Sequence, residues 1–410
     1  MMLSLRRFRD KTFSSLRIRN YRLYFIGQGL SQIGTWMQTV ALGWLVLTLS
    51  GSGTKLGVVM ALQFLPLLIG APWGGMMVDR LNKRRILYVT QSCSAALSCT
   101  VGVLVFAGSI QMWMLYVAAF AAGLIKVFDN PARQTFISEL VGNDQVKNAV
   151  SLNSTMVNLA RAIGPMLAGI LIAGIGIAAC FVADALSYLA VLFMLTRLQG
   201  QGLGKSHAAH AHSSRLLDGF RYVRSMPLLS STLVMMAIIG TFAYEFSTSL
   251  PILAKQTFLG DASVYASLTS AFGAGSALGG IYAAGRHNVS PRQLVIYAFC
   301  FGVSIVATSL APTLHLMMAL LLLVGFFSIN VTATANTTIQ LESAPHMRGR
   351  VMALWNMAIF GSTPVGGPVV GWIGEHIGAR WGLVLGGVAT IFAAGLAART
   401  LFRTGARPVS

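Results

Sequence analysis

The stretch GGMMVDRLNKRR, residues 74–85, places Asp79, Arg80, Lys83, Arg84 and Arg85 between two long apolar runs. Charge is scarce elsewhere: Asp, Glu, Lys and Arg make up 10% of the chain, where soluble proteins carry about a quarter. Two readings fit such a cluster. Lys and Arg beside an apolar span anchor membrane topology, because basic loops stay on the cytoplasmic side. Acids contribute little to that bias, so anchoring does not explain Asp79, nor Gly75 one helical turn before it; a moving part of a machine is the other reading.

The surrounding chain has 410 residues, is 55% hydrophobic and holds 43 glycines, a residue frequent in transmembrane helices. Apolar runs at 23–49, 55–78, 86–107, 111–129, 148–174, 177–196, 228–254, 262–285, 292–311, 314–340, 350–374 and 379–402 give twelve spans. Each is close to the ~20 residues that cross a bilayer as helix. A membrane β-barrel would show alternating segments of about ten residues instead. The expected fold class is an all-α polytopic membrane protein with twelve transmembrane helices.

The net charge of +19 does not indicate nucleic acid, because the basic residues fall in short loops between spans. They gather on one side, from Arg6 and Arg7 in the leader through Arg133, Lys147, Arg286 and Arg348 to Arg399, while the opposite loops hold Lys55, Lys255 and Arg380. That asymmetry predicts both termini on the cytoplasmic side. The first apolar run is too long for the core of a cleavable signal. Cys93, Cys99, Cys180 and Cys300 lie inside apolar runs and read as small buried residues, not disulfides or metal ligands.

The organisation expected is a basic leader (1–22), a six-helix half (23–196), a cytoplasmic linker (197–227), a second six-helix half (228–402) and a tail (403–410). The linker starts polar and ends as a short amphipathic helix. Its His207, His210 and His212 form either a metal tract or, as the commoner case, an ordinary polar linker. The halves repeat. Ala132, Thr135, Glu139, Asn153, Gly164 and Pro165 recur 203 positions later as Ala335, Thr338, Glu342, Asn356, Gly367 and Pro368. Parallel six-helix repeats are a transporter architecture.

The opening cluster resembles the major facilitator signature Gly-x-x-x-Asp-Arg-x-Gly-Arg-Arg between the second and third spans. Gly75, Asp79, Arg80, Lys83 and Arg84 match it, and Asn82 replaces a Gly, a mild change if that position is left-handed. AIGPMLAG, residues 162–169, resembles the antiporter signature Gly-Pro-x-x-Gly-Gly through Gly164, Pro165 and Gly169. The segments RNYRLYFIGQGLSQIGTWMQTVALGWLV, DNPARQTFISELV and NAVSLNSTMVNLARAIGP are similar to the drug–proton antiporter branch. That branch includes enterobactin exporters, macrolide efflux pumps and transmembrane secretion effectors. The resemblance implies two pseudo-symmetric six-helix halves, the major facilitator fold. It also implies a bacterial inner-membrane protein that works as a monomer. In the family, the loop Asp and Arg form a latch to the eleventh span, which begins here near Arg350. The matching second-half segment, GGIYAAGRHNVSPR, keeps Gly280 and Arg286 but has no acid.

Charges inside a span are functional candidates because they are costly. Asp184, Glu245, Lys126 and Arg161 are the proton-coupling candidates, with static ion pairs as the alternative; Asp129 reads as such a pair near the cytoplasmic edge, and Glu245 could sit at the opposite rim. Gln28, Ser31, Gln32, Trp36 and Gln38 give the first span a polar face. With Asn330, Asn336 and Asn356 they either line a substrate cavity or bond neighbouring helices.

The function expected is export of a small amphipathic compound of drug or siderophore class by alternating access, with proton antiport. No Gly-x-x-x-x-Gly-Lys-Ser/Thr is present, so neither nucleotide nor other cofactor is expected, and the chain does not read as an enzyme. An uptake symporter on the same fold and a non-transporting membrane sensor are the alternatives. Partners are then the small molecule, protons and the lipid bilayer, and not nucleic acid.

Overall fold

The computed structural model describes residues 13–142, 144–199, 216–286, 289–344, 347–360 and 362–403, with the side chains of 71, 72, 79, 216, 217, 360 and 401–403 excepted. His207, His210, His212 and the Asp79 side chain therefore lie outside the described residues.

The first six spans are α1 (Arg19–Ser50), α2 (Gly53–Arg80), α3 (Lys83–Phe106), α4 (Met112–Val141), α5 (Val146–Gly174) and α6 (Ile177–Arg197). A short helix, α7 (Leu216–Ser225), leads into the rest. The seventh span is two helices, α8 (Pro227–Phe242) and α9 (Phe246–Ile252), ending in a π-helical turn at Leu253–Thr257. Then follow α10 (Ala262–Ala284), α11 (Pro291–Ser309), α12 (Leu314–Glu342), α13 (Arg348–Phe360), α14 (Thr363–His376) and α15 (Ala379–Arg403). Among the described residues, ten segments are long and apolar enough to cross a membrane. The other two passes are α10, whose Gly, Ser and Ala dilute its hydropathy, and the pair α13–α14, each member short.

Two sequence-based expectations are corrected. α4 runs about three turns past the expected end at 129, continuing through Pro131 to Val141. Asp129 and Pro131 look like stop signals, but Asp129 pairs with Arg133 inside the same helix. Asn82 is not left-handed: its backbone is extended (φ −69°, ψ 111°), and its side chain accepts from the Arg85 N–H at 3.1 Å as the N-cap of α3. Asn serves here through its side-chain oxygen.

The two halves meet along two junctions, α2 with α14 and α5 with α10. Each joins the second span of one half to the fifth of the other, as a pseudo-twofold requires. Glycine makes the first junction possible. A Cβ at Gly53 would lie 2.7 Å from the Gly371 carbonyl oxygen, and one at Gly367 2.9 Å from the Gly57 carbonyl oxygen. The backbones of α2 and α14 are thus in direct contact, the small-residue packing that holds helices together in lipid. At the second junction a Cβ on Gly169 would meet Ala266 Cβ at 2.9 Å, and one on Gly273 would meet the Arg161 carbonyl at 2.5 Å.

Two clasps close the end opposite the termini. Glu375 Oε2 accepts from Ser52 Oγ (2.7 Å), Thr54 N (2.8 Å) and Thr54 Oγ1 (2.6 Å) at the start of α2. Lys255 Nζ donates to the Leu47 carbonyl (2.7 Å) near the end of α1. An acid meets a positive helix N-terminus and a base meets a negative C-terminus, the signs the helix dipole favours. Among the described residues, the hydrogen bonds joining the two halves all lie at this end.

Replacing Gly57 with Leu drives a side chain into the α14 backbone. Overpacking of this kind costs about 1–3 kcal/mol. The melting temperature of the purified protein in detergent is expected to fall, and an unchanged value would show that the junction has slack.

Candidate substrate cavity

Between the halves lies a cavity of two adjoining lobes. The first, about 410 Å³, is walled mainly by the six spans of the first half, α1 to α6, and carries Gln32, Gln38, Lys126 and Asp184. The second, about 260 Å³, belongs to the second half and is lined by Tyr244, Glu245, Phe246, Tyr265 and Phe272. Trp36, Phe64 and Arg161 line both and mark the passage between them. One lobe is polar and charged, the other aromatic with one acid. Together they have the size and mixed lining of a small-molecule site.

The charged residues of the first lobe divide into paired and unpaired groups. Asp129 is buried, forms an ion pair with Arg133 at 2.5 Å, and accepts from Thr90 Oγ1 (2.7 Å) and Gln91 Nε2 (2.8 Å) of α3. Arg133 Nη1 donates to Gln28 Oε1 of α1 at 2.6 Å. Asp129 and Arg133 thus join α1, α3 and α4 and are satisfied by one another. Asp184 lines the lobe although it is buried; its Oδ2 accepts from Ser98 Oγ at 2.8 Å and its Oδ1 has no partner. Lys126 and Arg161 are half-buried and form no ion pair among the described residues. The Lys126 ammonium stands 5.8 Å from the Phe64 ring centroid, and the Arg161 guanidinium 4.9 Å from that of Trp36, the distances of cation–π contacts.

Glu245 is not at a rim. It occupies the break between α8 and α9 and is 4% exposed. Its carboxylate lies under α14: a Cβ on Gly366 would come within 3.1 Å of Oε1, and one on Gly367 within 3.5 Å of Oε2. Oε1 has no hydrogen-bond partner. The acid therefore sits beneath Gly367, one of the glycines that bring α14 against α2.

The polar face of α1 is only partly a cavity wall. Gln32, Trp36 and Gln38 line the first lobe, whereas Gln28 and Ser31 are buried, Gln28 against Arg133. The three asparagines are not among the residues lining these two lobes. Asn330 is buried and donates to the Phe326 carbonyl at 2.8 Å; Asn336 accepts from Gln340; Asn356 is exposed on α13. The aromatic lining by Phe246, Tyr265 and Phe272 was missed in the sequence, since an aromatic in an apolar span is the ordinary case.

Gly164, Pro165 and Gly169 lie in a continuous α5. A Cβ on Gly164 would meet Trp36 Cβ at 2.5 Å, so this glycine sets how close the Trp36 backbone comes. Gly367 and Pro368 take the related place in α14 and contact α2 instead. In the opening cluster, Lys83 is buried and pairs with Glu139 at 3.5 Å, Arg84 Nη2 donates to the Leu195 carbonyl at the end of α6 (2.7 Å), and Arg80 is exposed. A Cβ on Gly75 would meet nothing within 4 Å. Arg286 donates to Thr334 Oγ1 (2.6 Å), and Arg350 lies 3.9 Å from Asp218 of α7.

This is the architecture of a major facilitator transporter, with a cavity between two six-helix halves. Over residues 10–406 the chain matches the transmembrane secretion effector family, and it belongs to that family. It is similar to the staphyloferrin A transporter of Staphylococcus aureus (24% identical, covering 90% of this chain and 93% of that one). It is also similar to the multidrug efflux pump Tap of Mycolicibacterium fortuitum (26%, 88% and 92%). Its fold matches a bacterial homologue of the human lysosomal transporter Spinster at a TM-score of 0.74 (15% identical, 96% and 99% covered). The protein is thus a multi-pass MFS-type efflux transporter.

Arg133→Met alone leaves Asp129 buried without its counter-ion, a loss of about 3–5 kcal/mol. Arg133→Met with Asp129→Leu is expected to recover a large part of it, measured as thermal stability in detergent.

Proposed function

We propose that the protein exports a small amphipathic compound, of the drug or siderophore class, in exchange for protons. The observation that carries this is the cavity between the halves, sealed at the end away from the termini with Glu245 beneath the seal. The charge bias of the loops supports an orientation with the termini, and the open Gly75 surface, on the cytoplasmic side of a bacterial inner membrane. Residues 23–196 and 228–402 would rock as two units about the cavity, in a monomer.

Glu245 suits the proton switch. Burying a carboxylate charge without a counter-ion costs several kcal/mol, and Glu245 forms no ion pair among the described residues. A proton taken up from outside lets α14 pack over a neutral group and close the far end. Its loss to the cytoplasm leaves a charge under the seal and favours opening outward. Asp184 is the second candidate, with Lys126 and Arg161 as nearby cations. Gly164, Pro165 and Gly169 supply the antiporter-like close packing of α5. At the cytoplasmic end, Gly75, Asp79, Arg80, Lys83 and Arg84 form the latch, with Asp79 meeting the start of α13 when that end shuts. With no acid at the matching second-half position, the latch is one-sided.

In energised inverted vesicles an exporter fills the lumen. Glu245→Gln is expected to lower proton-driven accumulation at least tenfold while leaving energy-independent counterflow measurable. If Glu245→Gln and Asp184→Asn both keep full proton-driven accumulation, neither carries the proton. Accumulation in right-side-out vesicles would mark an uptake symporter, and inert vesicles with no counterflow a sensor. Asp79→Asn should keep insertion and orientation, read by cysteine accessibility, yet cut transport sharply; normal transport would reduce the cluster to a topology anchor.

A further inference from the structure

The cavity's charges differ in how far a ligand can reach them. Both unpaired cations, Lys126 and Arg161, line the cavity and are half-buried. Asp184, the acid of the same lobe, is fully buried and held from behind by Ser98. Asp129 and Arg133 are spent on each other. With that pair cancelled, two half-buried cations against one fully buried carboxylate leave the first lobe net positive to any molecule that enters it.

Both cations also lie on aromatic faces, Lys126 on Phe64 and Arg161 on Trp36, and these rings border the aromatic second lobe. An unpaired Arg161 Nε, buried and without a partner, leaves donor capacity unused. From this geometry we infer that the exported compound is an anion with a flat apolar body. Its carboxylate or phenolate oxygen is bound by Lys126 and Arg161, and its body lies along Trp36 toward Phe246 and Phe272. A guanidinium offers paired donors in one plane to such an oxygen pair. Phe246 and Phe272, with ring centroids 4.6 Å apart, form the apolar floor. Glu245 lies in the other lobe, so proton and head group do not share a carboxylate, and coupling between them runs through the conformational change.

This inference rests on the export reading, and one experiment separates their failures. Three probes of one shape are used with the full-length protein: 2-naphthoate, neutral 2-naphthylmethanol and 2-naphthylmethylammonium. Binding is followed by quenching of Trp36, with Trp36→Phe as control, and transport by accumulation in inverted vesicles. The anion is expected to bind at least tenfold more tightly than the cation and to accumulate. Lys126→Gln and Arg161→Gln should each cost the anion about tenfold while sparing the neutral probe, and Lys126→Arg should retain it. A merely structural role would weaken all three probes alike. Preference for the cation, or anion binding indifferent to both Gln variants, overturns the inference and leaves the export reading standing if either charged probe accumulates. If none of the probes binds or accumulates, the inference falls together with the export reading.

Discussion

The structure depends on a contact between two backbones. In hydrocarbon, helices gain nothing from burying apolar side chains against each other, and they associate where their main chains can come close. Gly53 and Gly57 on α2 and Gly367 and Gly371 on α14 provide that approach. A side chain at any of the four would part the helices, and with them the Ser52 and Thr54 donors from Glu375. Glu245, lying under Gly366 and Gly367, acquires its isolation from the same packing.

Around that contact the two halves have taken different chemistry. The first half concentrates charge, with Lys126, Arg161 and Asp184 at the cavity and the Asp129–Arg133 pair bracing α1, α3 and α4. The second half contributes rings and a single acid. Pseudo-symmetry governs the helix backbone and not the lining, which is how one repeated fold can hold the polar and apolar ends of one molecule.

Most of the fold was legible in the sequence because bilayer thickness fixes span length. The boundaries that failed did so where a partner is nonlocal. Asp129 and Pro131 end a helix by local rules, yet α4 continues because Arg133 and two α3 side chains satisfy Asp129. Asn82 was legible as a turn residue but not as a cap, since capping depends on where the next helix starts. Within the site, Gln32 and, less well, Gln38 lie on the face that helical spacing marks as polar, while spacing could not tell that Gln28 turns to Arg133 or that Asn330 bonds its own helix. Periodicity identifies a polar face; what that face meets is decided by the neighbouring helix.

The clasps at the sealed end have unequal partners. Both charges, Lys255 and Glu375, belong to the second half, while the first half offers a carbonyl, an amide and two hydroxyls. When the clasps part, the second half therefore presents a cation and an anion to water, which hydrates both readily, and the first half is left with neutral groups alone. The fastening thus resembles a hook-and-eye more than a pair of magnets: firm when seated, and with no long-range pull to resist its release.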